Sequence, residues 1–510
     1  MKIVRAREIR YISREGAQGI SMTEAGAATI ESLSSDKSPR RPLETFAAIF
    51  VAAGLVYSYH LGANALGASE AYSAWAAAKP GVGAIIRTPV LHDPGKQVFY
   101  YAALHYYTRI FGLSEISLRS MSVIFSLVTL VLVFALGSEM FDRNTALAAA
   151  AMWAFNPLAV VFARTARMYP MFIALALAHL LTLWQVRQRP SAIRAASCAV
   201  VGAALLYTHL GGILFIGAGA AMLVRDQVRG RRNPMAWLAT AITLALFVPY
   251  VPVARTQSET LIAGHWLDWI GTANQYPFAV KIASAAGAAA LAIWFVIGTT
   301  TGADRDDQLH WLGVWTILPG LMLAAGSIVI RPMFNLRYVA PSTATLALTA
   351  AGGVARASVK WRNLLAAGLA LAWLIVLPFD QRAAQPWREF ARQVAAQRGA
   401  SEPVFFESGF VIEDSANNLP NGGFPFGYYS VPFDYYFTGA NPRIAIPGFD
   451  AAAARATIEE RVSTAGGGWL VSWKDSDAVH SELPDPNSFR VVEKFRGDRL
   501  AIYRITPAVK

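Results

Sequence analysis

"QVFYYAALHYYTRIFG", Gln97–Gly112, decides how this chain is threaded. It is apolar enough to pass for a membrane span. Counted as one, however, it reverses every later loop and puts the clusters Arg187, Arg189, Arg194 and Arg225, Arg229, Arg231, Arg232 on the outer side. Basic residues concentrate in cytoplasmic loops, so that threading is the wrong one. The stretch reads instead as an aromatic helix embedded at the outer interface, where Tyr rings are at home.

Working outward, apolar runs near the length of a bilayer crossing predict spans near 43–62, 116–138, 144–163, 170–186, 195–209, 211–224, 236–253, 278–299, 311–330, 339–355 and 363–379. That is about eleven transmembrane helices. Composition agrees: 55% of the 510 residues are hydrophobic and only 15% charged, well below the charged fraction of a soluble protein. The net charge of +12 sits in short clusters between apolar runs, the signature of positive-inside loops rather than of nucleic-acid binding. The single cysteine, Cys198, excludes disulfides and cysteine metal sites within one chain. No phosphate-binding glycine loop stands in a usable strand-to-helix context.

The predicted domains follow. Residues 1–42 form a polar, largely disordered cytoplasmic tail, with an uncleaved first span after it. Residues 43–379 are the transmembrane part, with a first outer loop over 63–115. From 380 to 510, "PVFFES", "RIAIPG", "GWLVSW" and "LAIYRI" read as strands. "PWREFARQVAAQRG" and "AAARATIEERVST" read as helices. This predicts a soluble α/β domain on the periplasmic side.

That topology leaves Arg87, Lys96, Arg109, Arg119, Arg164, Arg167, Arg331 and Arg337 near span ends on the outer side, where basic residues should be sparse. A long Arg side chain can simply reach headgroups. A set converging from four segments instead suits a phosphate held at the membrane surface, since guanidinium matches phosphate bidentately. The first outer loop supplies the acids Glu70, Asp93 and Glu115. A carboxylate among such cations can act as general base for a hydroxyl. For Glu70 a plainer reading stands beside it: Ser69 caps a helix whose first turn carries the acid. His92 beside Asp93 offers ligands for a divalent cation, although an adjacent pair is more often only a polar loop. His209 is a cavity residue or a structural hydrogen-bonding group. The loop 255–277, with His265, Trp266, Asp268 and Trp269, reads as a cover over the site or an interfacial anchor.

Motif order adds a resemblance. After span one comes "SEAYSA", followed by "HDPGKQVFYYAALHYYTRIFGLSEISLRS", "NPLAVVFARTARMYP", "YTHLGG", "RYVAPS", "QPWREFARQV" and "FRGDRLAIYRI". In this series the chain resembles the GT-C glycosyltransferases, in the bacterial branch similar to protein O-mannosyltransferases and the lipid A aminoarabinose transferase. The resemblance implies a bacterial inner-membrane enzyme that moves a sugar, with inversion, from a polyprenyl-phosphate donor to a hydroxyl on an envelope acceptor. It implies no required cofactor and no nucleic-acid partner. By resemblance, Lys96, Arg164, Arg167, Arg337 and Tyr338 face the lipid phosphate and Tyr169 lines the cavity. Ser69 stands where the family's first acid usually does, so the base falls to Glu70 or to Asp93. Gln97-Val98 likewise replaces a usual Pro-Pro. The competing class is a transporter or lipid flippase, against which the charges cluster at span ends and no internal repeat is evident. A non-catalytic scaffold of the same fold is the third reading.

Overall fold

A run of apolar helices carries the fold, and several begin at a residue whose side chain caps the helix. The computed structural model describes residues 41–91, 96–263, 307–329, 335–354, 368, 386–396, 401–407, 427–446, 451–472, 483–496 and 500–508. The chain divides into two units, Met1–Thr45 and Phe46–Lys510. Of the first unit, residues 41–45 are described; they open the helix Arg41–Ser58. The polar tail before them, the predicted span 278–299, all of 363–379 but residue 368, most of the 255–277 loop, and His92, Asp93 and Arg331 lie outside the described residues.

Helices Glu115–Met140, Tyr169–Gln188, Pro234–Gln257 and Asp307–Gly326 are each long and apolar enough to cross a membrane. Several apolar helices of this kind make the chain a multi-pass membrane protein. Ser114 caps the first, accepting from the Ser117 N–H at 3.2 Å. Asp142 caps the helix Arg143–Ala154, accepting from Asn144 and Thr145. The tight pairing of these two helices needs Gly137: a Cβ there would lie 2.9 Å from the Ala146 Cα.

One predicted span requires correction. The run 144–163 is not a single helix but two, Arg143–Ala154 and Pro157–Ala163, bent by 64°. The cause is local. Proline disfavours helical backbone at the residue before it and lacks the N–H a continuing helix needs. Asn156 then caps the new start by accepting from the Leu158 N–H at 2.9 Å. After the second helix, residues 164–168 form a connecting loop ahead of Tyr169–Gln188.

The Gln97–Gly112 stretch forms the helix Val98–Phe111 and ends at Gly112, whose φ of 79° favours glycine. Its 14 residues span about 21 Å, short of the roughly 30 Å hydrocarbon core. Tyr100, Tyr101, Leu104, His105 and Thr108 are buried, at spacings that make one helix face. Tyr106, Ile110 and Phe111 are exposed.

The C-terminal part carries a five-stranded sheet of order β2-β1-β3-β5-β4. The strands are β1 Val404–Glu407, β2 Arg443–Ile446, β3 Gly468–Ser472, β4 Phe489–Arg496 and β5 Ala501–Pro507. Strands β2, β1 and β3 run parallel, and β5 and β4 are antiparallel additions. β3 is buried along its whole length, as expected of a strand covered on both faces. Trp387, Phe390 and Phe433 pack on one set of its side chains, and Ile458 and Val462 on the other. This region is fastened to the start of the helical part. Tyr436 accepts from the Leu66 N–H at 2.7 Å and donates to Glu115 at 3.0 Å, and Arg388 pairs with Glu115 at 2.6 Å.

Candidate functional site

Glu70 lies on the short helix Ala68–Ala77, outside the spans. The expected cap is corrected here: Gly67, not Ser69, occupies the N-cap, and Ser69 sits inside the first turn. Glu70 reaches back to accept from the Gly67 N–H at 3.1 Å, the acidic half of a capping box. Its carboxylate also takes the Arg119 fork, from Nε and Nη2, both at 2.8 Å. A fourth donor, the Ala166 N–H, lies 2.9 Å away. Burial alone would raise the pKa of Glu70, but Arg119 and the two backbone donors outweigh it and hold the carboxyl below its ordinary range.

Arg119 was grouped by sequence with the phosphate-facing cations, and the geometry corrects this. Nη1 donates to Leu61 O at 2.8 Å and Asn64 O at 2.9 Å, and Nη2 also donates to Ala65 O at 3.1 Å. With the two bonds to Glu70, all five guanidinium donors are used within the protein. The pair thus clasps four segments: residues 61–65, the Glu70 helix, the start of Glu115–Met140, and the loop at 164–168. Glu115 is likewise engaged, through Arg388 and Tyr436.

The loop at 164–168 carries two predicted site residues. Arg164 caps the end of Pro157–Ala163 and is half-buried. Arg167 is 4% exposed; its Nη1 donates to Ser69 O at 2.9 Å and lies 3.5 Å from both Ser73 Oγ and Tyr101 OH. Tyr169 opens the next helix, and the Arg337 guanidinium lies 6.0 Å from its ring centroid. Arg337 and Tyr338 are on the 3₁₀ turn Leu336–Val339, which Asn335 caps by accepting from the Arg337 N–H at 3.0 Å.

His209 ends the helix Ala192–Thr208 in extended conformation. Its ring stacks on Phe172 at 4.7 Å and lies 5.1 Å from Tyr338. Nδ1 accepts from the Gly211 N–H at 2.9 Å, so in the neutral ring the proton is on Nε2. Gly211 cannot be larger: a Cβ would meet Tyr338 O at 2.8 Å and His209 Nδ1 at 2.9 Å. Lys96, 9% exposed, forms a β-bridge with His209, and the Gln97 N–H donates to Thr208 O at 3.2 Å. Lys96, Arg164, Arg167, Tyr169, His209, Arg337 and Tyr338 therefore gather at the N-terminal end of Tyr169–Gln188. At the other end of that helix, Arg187 is paired with Asp226 and Asp307 in a separate ionic cluster. Arg109 is exposed, and Nη2 lies 3.5 Å from Pro80 O. Among the described residues no group of three or more His, Cys, Asp or Glu could hold a metal ion.

Sequence reading missed two features. The Glu70–Arg119 pair joins residues 49 apart, and only the presence of one acid and one base near span ends hinted at it. The second is a buried amide pair: Gln97 Nε2 donates to Gln257 Oε1 at 2.8 Å. Glutamines buried at the ends of apolar runs were the available signal.

Residues 96–252 of the chain match the model of the dolichyl-phosphate-mannose-protein mannosyltransferase family. Among solved structures it is similar to ArnT from Cupriavidus metallidurans. Against the undecaprenyl-phosphate-bound form, identity is 14% over 92% of this chain and 98% of that one, with a TM-score of 0.57. Against the apo form, identity is 12% over 90% and 97%, with a TM-score of 0.55. It is also similar to the oligosaccharyltransferase from Archaeoglobus fulgidus crystallised with zinc and sulfate: 12% identity, 83% of this chain and 67% of that one, TM-score 0.50. No curated protein sequence matches the chain significantly.

Proposed function

We propose that this protein is an inverting glycosyltransferase of the bacterial inner membrane, moving a sugar from a polyprenyl-phosphate donor to a hydroxyl acceptor of the envelope on the periplasmic side. The observation that carries the reading is the gathering of Lys96, Arg164, Arg167 and Arg337 with Tyr169, His209 and Tyr338 at one helix end, in a GT-C fold. The family match from 96 to 252 includes the first three of those cations, and one similar structure binds undecaprenyl phosphate. The reading includes an eleven-span topology, a catalytic region over 43–379 and a periplasmic domain over 380–510.

The chemistry is a displacement at the anomeric carbon. The acceptor oxygen attacks opposite the phosphate, the bond from that carbon to the phosphate oxygen breaks, and polyprenyl phosphate departs with the electron pair. Charge therefore grows on the phosphate as the bond breaks, and preorganised Arg and Lys side chains stabilise it there. The Nε2–H of His209 and the Tyr338 hydroxyl are further donors for phosphate or sugar oxygens. The acceptor's proton needs a carboxylate. Glu70 was the first candidate, but its four hydrogen bonds, two of them from a guanidinium, leave it a poor acceptor. We assign the base to Asp93 and give Glu70 the role of holding the 164–168 loop in place. The test is release of polyprenyl phosphate from a panel of polyprenyl-phosphate sugars by purified protein with envelope extract as acceptor. Asp93→Asn should lower turnover by roughly 10²–10⁴. No release from any donor would overturn the reading.

A further inference from the structure

Gln257 is fully buried on the helix Val251–Ala263 and spends its whole carboxamide on the segment that carries Lys96. Its Nε2 donates to the carbonyls of Val90 and Lys96, which flank residues 91–95 on either side. Its Oε1 accepts from Gln97 Nε2. Carbonyls only accept, so the amide orientation is fixed by chemistry: Nε2 must face Val90 and Lys96, and Oε1 must face Gln97. Gln97 is itself fully buried and joined to Thr208 through its backbone.

We propose that Gln257 is a positioning residue for the lipid-phosphate site, stapling the two ends of the 91–95 segment so that Lys96 is held beside His209. The inference rests on the functional reading above, because it takes Lys96 as a phosphate ligand. An apolar residue would satisfy burial at this position equally well. A glutamine with hydrogen bonds to Val90, Lys96 and Gln97 at once does something burial does not require. Loss of the staple removes partners from two buried carbonyls and frees the backbone of a residue whose placement sets phosphate affinity.

The test uses full-length protein in detergent with undecaprenyl phosphate as the probe. Gln257→Leu should weaken its binding about tenfold. It should also raise hydrogen exchange in peptides covering 86–97, while the rest of the chain keeps its protection. Gln257→Asn, one methylene shorter, keeps an amide that reaches at most one carbonyl; it covers the case in which Gln257→Leu does not fold and should show a smaller loss. If Gln257 acts through Lys96, the double variant Gln257→Leu/Lys96→Ala should bind no more weakly than Lys96→Ala alone. Wild-type affinity in both Gln257 variants, or effects that simply add to that of Lys96→Ala, would overturn the inference and leave the functional reading intact. Failure of the wild-type protein to bind undecaprenyl phosphate would overturn that reading and the inference with it.

Discussion

Replacing Glu70 by Gln separates a positioning carboxylate from a catalytic one. The amide keeps one oxygen, enough for Arg119 Nε and the Ala166 N–H. Its NH₂ group then faces Arg119 Nη2 and the Gly67 N–H, donors against a donor. Arg119, 6% exposed, is left buried without its paired carboxylate. A helix-cap role alone would lose about 0.3–1 kcal/mol. Breaking a buried pair costs about 3–5 kcal/mol, a large share of the roughly 5–15 kcal/mol that holds a protein folded. Thermal unfolding in detergent should therefore show Glu70→Gln strongly destabilised. Replacing both partners, as Glu70→Gln/Arg119→Met, should recover much of that loss, because no buried charge remains. The pH dependence has a definite sign. The folded pKa of Glu70 lies below its ordinary 4.5, so its contribution is complete above that value and is lost as pH falls through the folded pKa. A Glu70→Gln protein as stable as wild type but inactive would refute this reasoning and return the base to Glu70.

The cationic cluster makes its own forecast: Arg337→Ala and Arg167→Ala should each weaken undecaprenyl-phosphate binding about ten- to a hundredfold, the loss of about 1.5–3 kcal/mol expected for a charge-assisted hydrogen bond. Wild-type binding in both would mean that these side chains hold the protein's own backbone and rings rather than the donor. For the proposed topology, a phosphatase fused after Lys510 should be active and a cytosolic reporter at the same place dark; the reverse pattern would invert the sidedness of the site.

The helix positions were legible because burial in a bilayer demands apolar length. The predicted 116–138 and 170–186 became Glu115–Met140 and Tyr169–Gln188. The bend at Asn156-Pro157 was not read, since counting apolar residues hides two residues that stop and restart a helix. The same limit applies to the site. Arg167, Tyr169, His209 and Arg337 could be nominated from charge and motif order, because their chemistry is visible one residue at a time. What Arg119 does depends on Glu70, 49 residues away, and what Gln257 does depends on carbonyls more than 160 residues away. A carbonyl has no residue-type signature, so no sequence pattern announces a side chain that serves one.

The central claim is that the chain consumes a polyprenyl-phosphate sugar, and mass spectrometry of the envelope lipids and glycans of a deletion strain against its parent tests it most directly. The account predicts that a polyprenyl-phosphate monosaccharide accumulates in the deletion strain while one envelope acceptor loses the mass of that same sugar, both restored by the wild-type chain and not by Asp93→Asn. Identical lipid-linked sugars and identical acceptors in the two strains would contradict it.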